Sequence, residues 1–274
     1  MDTPVLMRRR RVGGGSPAVD YEAAVEALLS GTPGFVIDPT DASINFTDTA
    51  GSIPVSSPGV DTVARFNTKF GTTVHNCQNA VVAGQYLWNG NSYGLDGVDD
   101  LLQTTNATWP NGMTALTYTV RALFDDLTAE NAVLGLSTAG TTTVRLLFRT
   151  LTTGGLGLYL RRLDADAQQD FITAGSLVTQ GAEVTLQFSI NYLNGAVKIF
   201  VDGVEVLSST LTGTDGVNGV SATNSARWRD ALNSTNTLND WLDGKQGRQV
   251  MAVNQYLTGT DLTNCQGWVE ELSL

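Results

Sequence analysis

The chain has 274 residues, of which 42% are hydrophobic and 16% charged, with 29 glycines; that is enough apolar material for a sizeable core and excludes a chain disordered throughout. A formal charge of −11 argues against broad nucleic-acid binding, because a phosphate backbone repels an acidic body. No apolar run reaches bilayer length and no apolar signal core follows the N-terminal arginines, so a soluble protein without a cleaved export leader is expected.

Residues 1–17 have no hydrophobic period and end in Gly13, Gly14, Gly15, Ser16 and Pro17, the composition of an extended arm. Arg8, Arg9, Arg10 and Arg11 stand there against Asp2 alone, a local +3 that leaves −14 on the rest of the chain. Such a run suits docking on an acidic protein groove. Asp20 to Ser30 follows as a short helix: an N-cap acid, helix formers, apolar Val25, Leu28 and Leu29, and Gly31 at the stop. Residues 1–34 are therefore read as a docking arm with a helix, and 35–274 as the folded domain.

From Phe35 to about residue 95 the chain is broken by Asp38-Pro39, Ala50-Gly51, Pro58-Gly59 and Asn89-Gly90, so short strands between turns are predicted. Beyond that, Leu116, Tyr118, Val120, Ala122 and Phe124 alternate with Thr117, Thr119, Arg121 and Leu123, the pattern of a strand buried on one face. Val144, Leu146 and Phe148 alternate with Arg145 and Arg149, and Leu156, Leu158 and Leu160 with Gly157 and Tyr159. Val184, Leu186, Phe188 and Ile190 face away from Thr185, Gln187, Ser189 and Asn191; Asn194-Gly195 and Asp202-Gly203 then supply tight reversals. Residues 212–247 read as loop, Val250 to Tyr256 as a last strand, and Thr260 to Leu272 as a terminal helix. Turn signals at this spacing predict a β-sandwich.

Strands in this order, the hairpin Asn191-Tyr192-Leu193-Asn194-Gly195 and the segment Leu95-Asp96-Gly97-Val98-Asp99-Asp100 resemble the concanavalin A-like (laminin-G-like) jelly-roll domain. Asp38-Pro39-Thr40-Asp41, Phe46-Thr47-Asp48-Thr49-Ala50-Gly51 and Val253-Asn254-Gln255-Tyr256-Leu257-Thr258 are similar to the versions found in minor virion proteins of tailed bacteriophages. The resemblance implies two antiparallel sheets packed face to face, and a head or tail fibre, spike or decoration anchored in the virion through residues 1–17. It also implies a homo-oligomer, with a trimer as the guess. The projecting domain would bind host surface glycans without catalysis. The alternative is a secreted polysaccharide-binding or glycan-hydrolysing module.

Lectin-like modules stack aromatic faces on sugar rings, which makes Tyr86, Trp88, Tyr93 and Trp109 glycan-binding candidates; the competing reading is that they fill the core. Asp96, Asp99 and Asp100 could hold a structural Ca2+, since a hard cation collects oxygens from a glycine-bearing loop; otherwise they shape a turn. No cofactor is required. Hydrolysis by this fold needs two carboxylates about 5–9.5 Å apart, and the patterned strands offer Glu183 and Glu205 singly and Glu270-Glu271 side by side. His75, the single histidine, lies two residues from Cys77 without an orienting third group, so a nucleophilic site is not expected. Cys77 and Cys265 form no disulfide framework and are expected as free thiols.

Overall fold

A computed structural model describes residues 19–79, 82–100, 109–110, 112–138, 144–162, 166–213, 226–229 and 242–274. Its elements run α1 (Tyr21–Leu29), β1 (Phe35–Ile37), β2 (Asn45–Phe46), β3 (Thr62–Val63), β4 (Arg65–Asn67), β5 (Asn76–Gln78), β6 (Tyr86–Trp88) and β7 (Tyr93–Asp96). Longer strands follow: β8 (Ala115–Phe124), β9 (Asn131–Thr138), β10 (Val144–Thr150), β11 (Leu156–Leu160), β12 (Gln169–Ile172), β13 (Glu183–Asn191), β14 (Ala196–Val201) and β15 (Val204–Thr210). The chain closes with β16 (Ala226–Arg229), β17 (Asp243–Val253) and α2 (Gly259–Glu270).

All described strand pairs are antiparallel. Nine strands form the larger sheet, in the order β15-β14-β13-β8-β17-β7-β6-β3 with β1 also on β17; β12-β11-β10-β9-β16 form the second, and β2-β4-β5 a small third. The two large sheets face each other. Phe148 of β10 meets Phe188 of β13 edge-on at 5.1 Å, and the alternating apolar positions of both sheets merge into one core. The architecture is the expected mainly β jelly-roll sandwich, with short helices near both ends of the described chain.

Local chemistry explains the turns. Asp20 caps α1 by accepting the Ala23 N–H at 3.1 Å, and Gly31 takes φ +75° just past its end. At the β14–β15 reversal both Asp202 and Gly203 have positive φ, as a two-residue hairpin requires.

Several expectations change. The strand over 116–124 was to be half-buried, yet Thr117 and Thr119 are as buried as their apolar neighbours. The reason is a second cover: Val25 and Leu29 of α1 and Leu262, Cys265, Trp268 and Val269 of α2 pack on the outer face of the large sheet. The polar residues there are satisfied internally, with Gln187 donating to Thr119 Oγ1 at 3.1 Å and to the Leu262 carbonyl at 3.3 Å. Arg145, placed outward by alternation, is buried, because a register shift between Val144 and Leu146 interrupts the period. The last strand begins at Asp243, inside the stretch read as loop, and ends at Val253 rather than Tyr256. Gly244, Gln246 and Gln249 mask its hydrophobic pattern, although Gln246 and Gln249 are both buried. Residues 226–229, also within that stretch, form a strand. No described helix is long and apolar enough to cross a membrane.

Candidate functional site

Among the described residues, few sheet faces are left without a covering element. One face of the large sheet meets the core and the other meets α1 and α2. The five-stranded sheet turns one face to the core; its opposite face carries no described helix. On that face Ala132, Val144 and Leu147 make a small apolar cluster that is itself fully buried, with half-buried Tyr159 packed against it; what the face exposes is Tyr159, Glu130 and Asp170 around a mostly covered Arg149.

Arg149 organises the polar part of the face. Its guanidinium donates to Glu130 Oε2 at 2.8 Å and to Asp170 Oδ2 at 2.9 Å, and its Cζ lies 6.0 Å from the Tyr159 ring centroid. The Tyr159 hydroxyl in turn donates to Gln168 Oε1. Strand register brings the group together: Tyr159 pairs with both Leu147 and Asp170, and Arg149 with Gly157. Arg149, Tyr159 and Asp170 occupy outward positions of three neighbouring strands; Glu130 comes from the residue before β9.

An open groove of about 330 Å3 lies at the end of the same β10–β11 hairpin. Thr152, Thr153, Ser176, Thr179 and Gln180 line it with hydroxyl and amide groups, and Leu127 contributes an aliphatic side. Tight backbone bonds hold its walls: the Gly154 carbonyl accepts from the N–H groups of Leu177 and Val178 at 2.9 Å each. Gln180 is tied to the Asp125 carbonyl at 2.6 Å.

The four aromatic candidates lie elsewhere. Tyr86, Trp88, Tyr93 and Trp109 are 1%, 6%, 0% and 7% exposed, so their ring faces are not offered to a ligand, and the core-filling reading holds for all four. Trp88 donates to the Pro39 carbonyl at 2.7 Å, Tyr93 donates to Asn45 and stacks on Phe66, and Trp109 sits edge-on to Phe35 at 5.4 Å.

Asp96, Asp99 and Asp100 do converge, with one carboxylate oxygen of each within 4.8 Å of the others. Two of their oxygens are engaged in shaping the turn: Asp100 Oδ2 accepts from the Asp96 N–H at 2.6 Å and Asp96 Oδ1 from the Val98 N–H at 2.9 Å. Burial, reinforced by the neighbouring carboxylates of Asp96 and Asp99, pushes the Asp100 carboxyl up to about 7. The hard-oxygen donors present suit Ca2+ in kind, but three aspartates fall short of the six to eight oxygens it collects. Backbone carbonyls or water would have to complete the shell.

His75 packs against Phe35 at 4.9 Å, and burial lowers its pKa. Cys77 and Cys265 are both buried and are not joined in a disulfide, and burial pushes the Cys265 thiol up to about 12, far from a reactive thiolate. Glu183 and Glu205 are held by Arg121 and Lys198, and Glu271 by Arg248. Arg8, Arg9, Arg10 and Arg11 lie outside the described residues.

No family model matches the chain, and no curated protein matches its sequence. Solved structures share its fold. The NanB sialidase from Streptococcus pneumoniae is 17% identical over 64% of this chain and 27% of its own, with a TM-score of 0.50; NanB with Optactamide gives 18%, the same coverages and 0.51. What is shared is the sandwich. The CBM40 of the Ruminococcus gnavus IT-sialidase, bound to alpha2,3 sialyllactose, is also similar, at 13% identity over 58% of this chain and 83% of that one, with a TM-score of 0.47. This chain thus spans about a quarter of the length of NanB.

The residues that sequence reasoning missed are Arg149, Tyr159, Asp170, Glu130 and Gln168. Alternation marks Arg149 and Tyr159 as outward positions. Nothing local shows that Asp170, in a strand of four residues without an apolar rhythm, lies beside them.

Proposed function

We propose that the chain is a glycan-binding module whose recognition surface is the outer face of the five-stranded sheet, extending to the hydroxyl-lined groove at the end of the β10–β11 hairpin. The observation that carries this reading is the array of Arg149, Glu130, Asp170 and Tyr159 on the sheet face without a described helix. Planar carboxylate and guanidinium groups exchange paired hydrogen bonds with vicinal hydroxyls, and an aromatic ring covers the C–H face of a pyranose. Glu130 and Asp170 already neutralise Arg149, and the body is acidic. The surface therefore suits hydroxyl-rich neutral sugars better than a carboxylate-bearing sugar. Its sandwich is shared with a sialidase, NanB, which places this fold in a glycan-acting protein.

The module binds and does not cleave. Glu130 and Asp170 share one guanidinium, which presents acceptors to a ligand rather than an acid and a base facing each other across a cleft. An array of neutral and sialylated glycans tests the reading: the chain retains neutral oligosaccharides, Arg149→Ala and Asp170→Ala each weaken binding at least about tenfold, corresponding to one lost charge-assisted bond, and no new reducing ends appear. A chain that retains no glycan refutes the binding reading, and retention of sialylated glycans alone refutes the neutral-sugar assignment.

A further inference from the structure

The strand orders of the two large sheets end in four edge strands of unequal length. β3 has two residues, while β12 and β16 have four each. β15, at the end of the large sheet, has seven, and most of them are exposed. A long exposed edge offers a row of unpaired backbone groups to another strand.

Which groups are unpaired follows from the register. The Leu211 N–H donates to the Gly195 carbonyl at 2.7 Å, while Thr210 pairs with Ala196 and Ser208 with Lys198. In an antiparallel ladder hydrogen-bonded and non-bonded pairs alternate, so the N–H and C=O of Thr210 and Ser208 point away from β14, to the open side. Natural edges are commonly guarded by lysine, proline or an inward charge. β15, of sequence Val-Glu-Val-Leu-Ser-Ser-Thr, has no lysine or proline, and its one charge, Glu205, is held by Lys198 of β14 at 2.6 Å. Aliphatic groups are also exposed at this rim. Val206 and Leu207 are only partly buried against the core, and Val204, paired with Val201, is 64% exposed.

We propose that β15 is the seam of a two-fold dimer, pairing antiparallel with β15 of a second copy so that the two large sheets run on as one. The strand is complementary to itself. A two-fold axis at Ser208 sets Val206 opposite Thr210, Leu207 opposite Ser209 and Glu205 opposite Leu211, so no like charges meet, and the outward amides of Ser208 and Thr210 gain partners. Each copy brings its aliphatic rim to the seam. A two-fold axis closes the assembly, whereas an unguarded edge without closure would polymerise.

Multi-angle light scattering and hydrogen exchange on the full chain, across the micromolar range, test this proposal. The wild type reaches twice the chain mass of 29.1 kDa, and amides of residues 204–210 become protected as concentration rises. Ser208→Pro removes an N–H that the monomer does not use, and Ser208→Lys sets two ammonium groups face to face. Both variants stay at the single-chain mass with wild-type circular dichroism. If the proline variant misfolds, the lysine variant alone decides. A wild type monomeric throughout, a trimer or larger species, or a dimer kept by the deciding variants overturns the proposal.

Discussion

Arg149 on β10 and Asp170 on β12 are joined at 2.9 Å although β11 runs between them. Gly157 makes this reach available: a Cβ there would stand 3.0 Å from Arg149 Nε and 3.3 Å from its Cγ. Gly157→Val therefore lifts the guanidinium from its seat, while a β-branched residue suits the strand itself. We expect melting within a few degrees of the wild type and glycan affinity reduced about tenfold, measured by calorimetric titration on the glycan that the array identifies. Unchanged affinity removes Arg149 from the recognition surface.

Gly244 has φ +145°, and a Cβ added to it would stand 2.0 Å from the Leu123 carbonyl oxygen. Because β17 is paired on both sides there, with β7 and β8, neither neighbour can yield cheaply. Gly244→Ala is expected to cost about 3 kcal/mol or more in urea denaturation. A loss below about 1 kcal/mol would show that the strand relaxes around the new methyl group.

The polar layer beneath α2 makes a different prediction. Thr117 Oγ1 accepts the Leu257 N–H at 2.9 Å and lies 3.0 Å from both Ser189 Oγ and the Gln255 carbonyl. Thr117→Val keeps the shape but strands a buried N–H. A loss of about 1–3 kcal/mol follows, and Thr117→Ser should recover most of it. Equal stability of the valine variant would mean that the layer reorganises.

His75 is the single histidine, and the raised carboxyl of Asp100 titrates in the same range with the opposite effect on stability. Burial against Phe35 and Trp109 lowers its pKa in the folded state, so below the ordinary value of about 6.5 the unfolded chain takes up the proton first. The neutral-histidine contribution is complete above that value and is lost as pH falls through the lowered folded value. The difference in stability between wild type and His75→Phe at descending pH, in which the Asp100 contribution cancels, should show this acid limb. A variant that tracks the wild type places the pH sensitivity in the carboxylates.

Much of the sandwich was legible from side-chain rhythm. The alternations around Tyr118, Phe148, Leu158 and Phe188 are short-range consequences of a two-residue strand period, and Asp20, Gly31, Asn194-Gly195 and Asp202-Gly203 act within a few residues of themselves. The candidate surface was not legible, because Arg149, Tyr159 and Asp170 become neighbours only through the register of three strands. The aromatic candidates failed for a related reason: a tryptophan in an irregular stretch reads the same whether it lines a groove or, like Trp88 on the Pro39 carbonyl, plugs the core.

Composition and local period by themselves determined that this chain folds as antiparallel strands with short helices, since turn chemistry and alternation are properties of adjacent residues. Tertiary structure decided which faces are covered. The threonines, serine and glutamine of β8 and β13 look solvent-facing by pattern, yet α2 and the segment before it cover them, and whether a sheet face is sealed depends on an element far away in the chain. For the same reason the face bearing Arg149 and the edge at β15 stand out only once the described elements have been packed together.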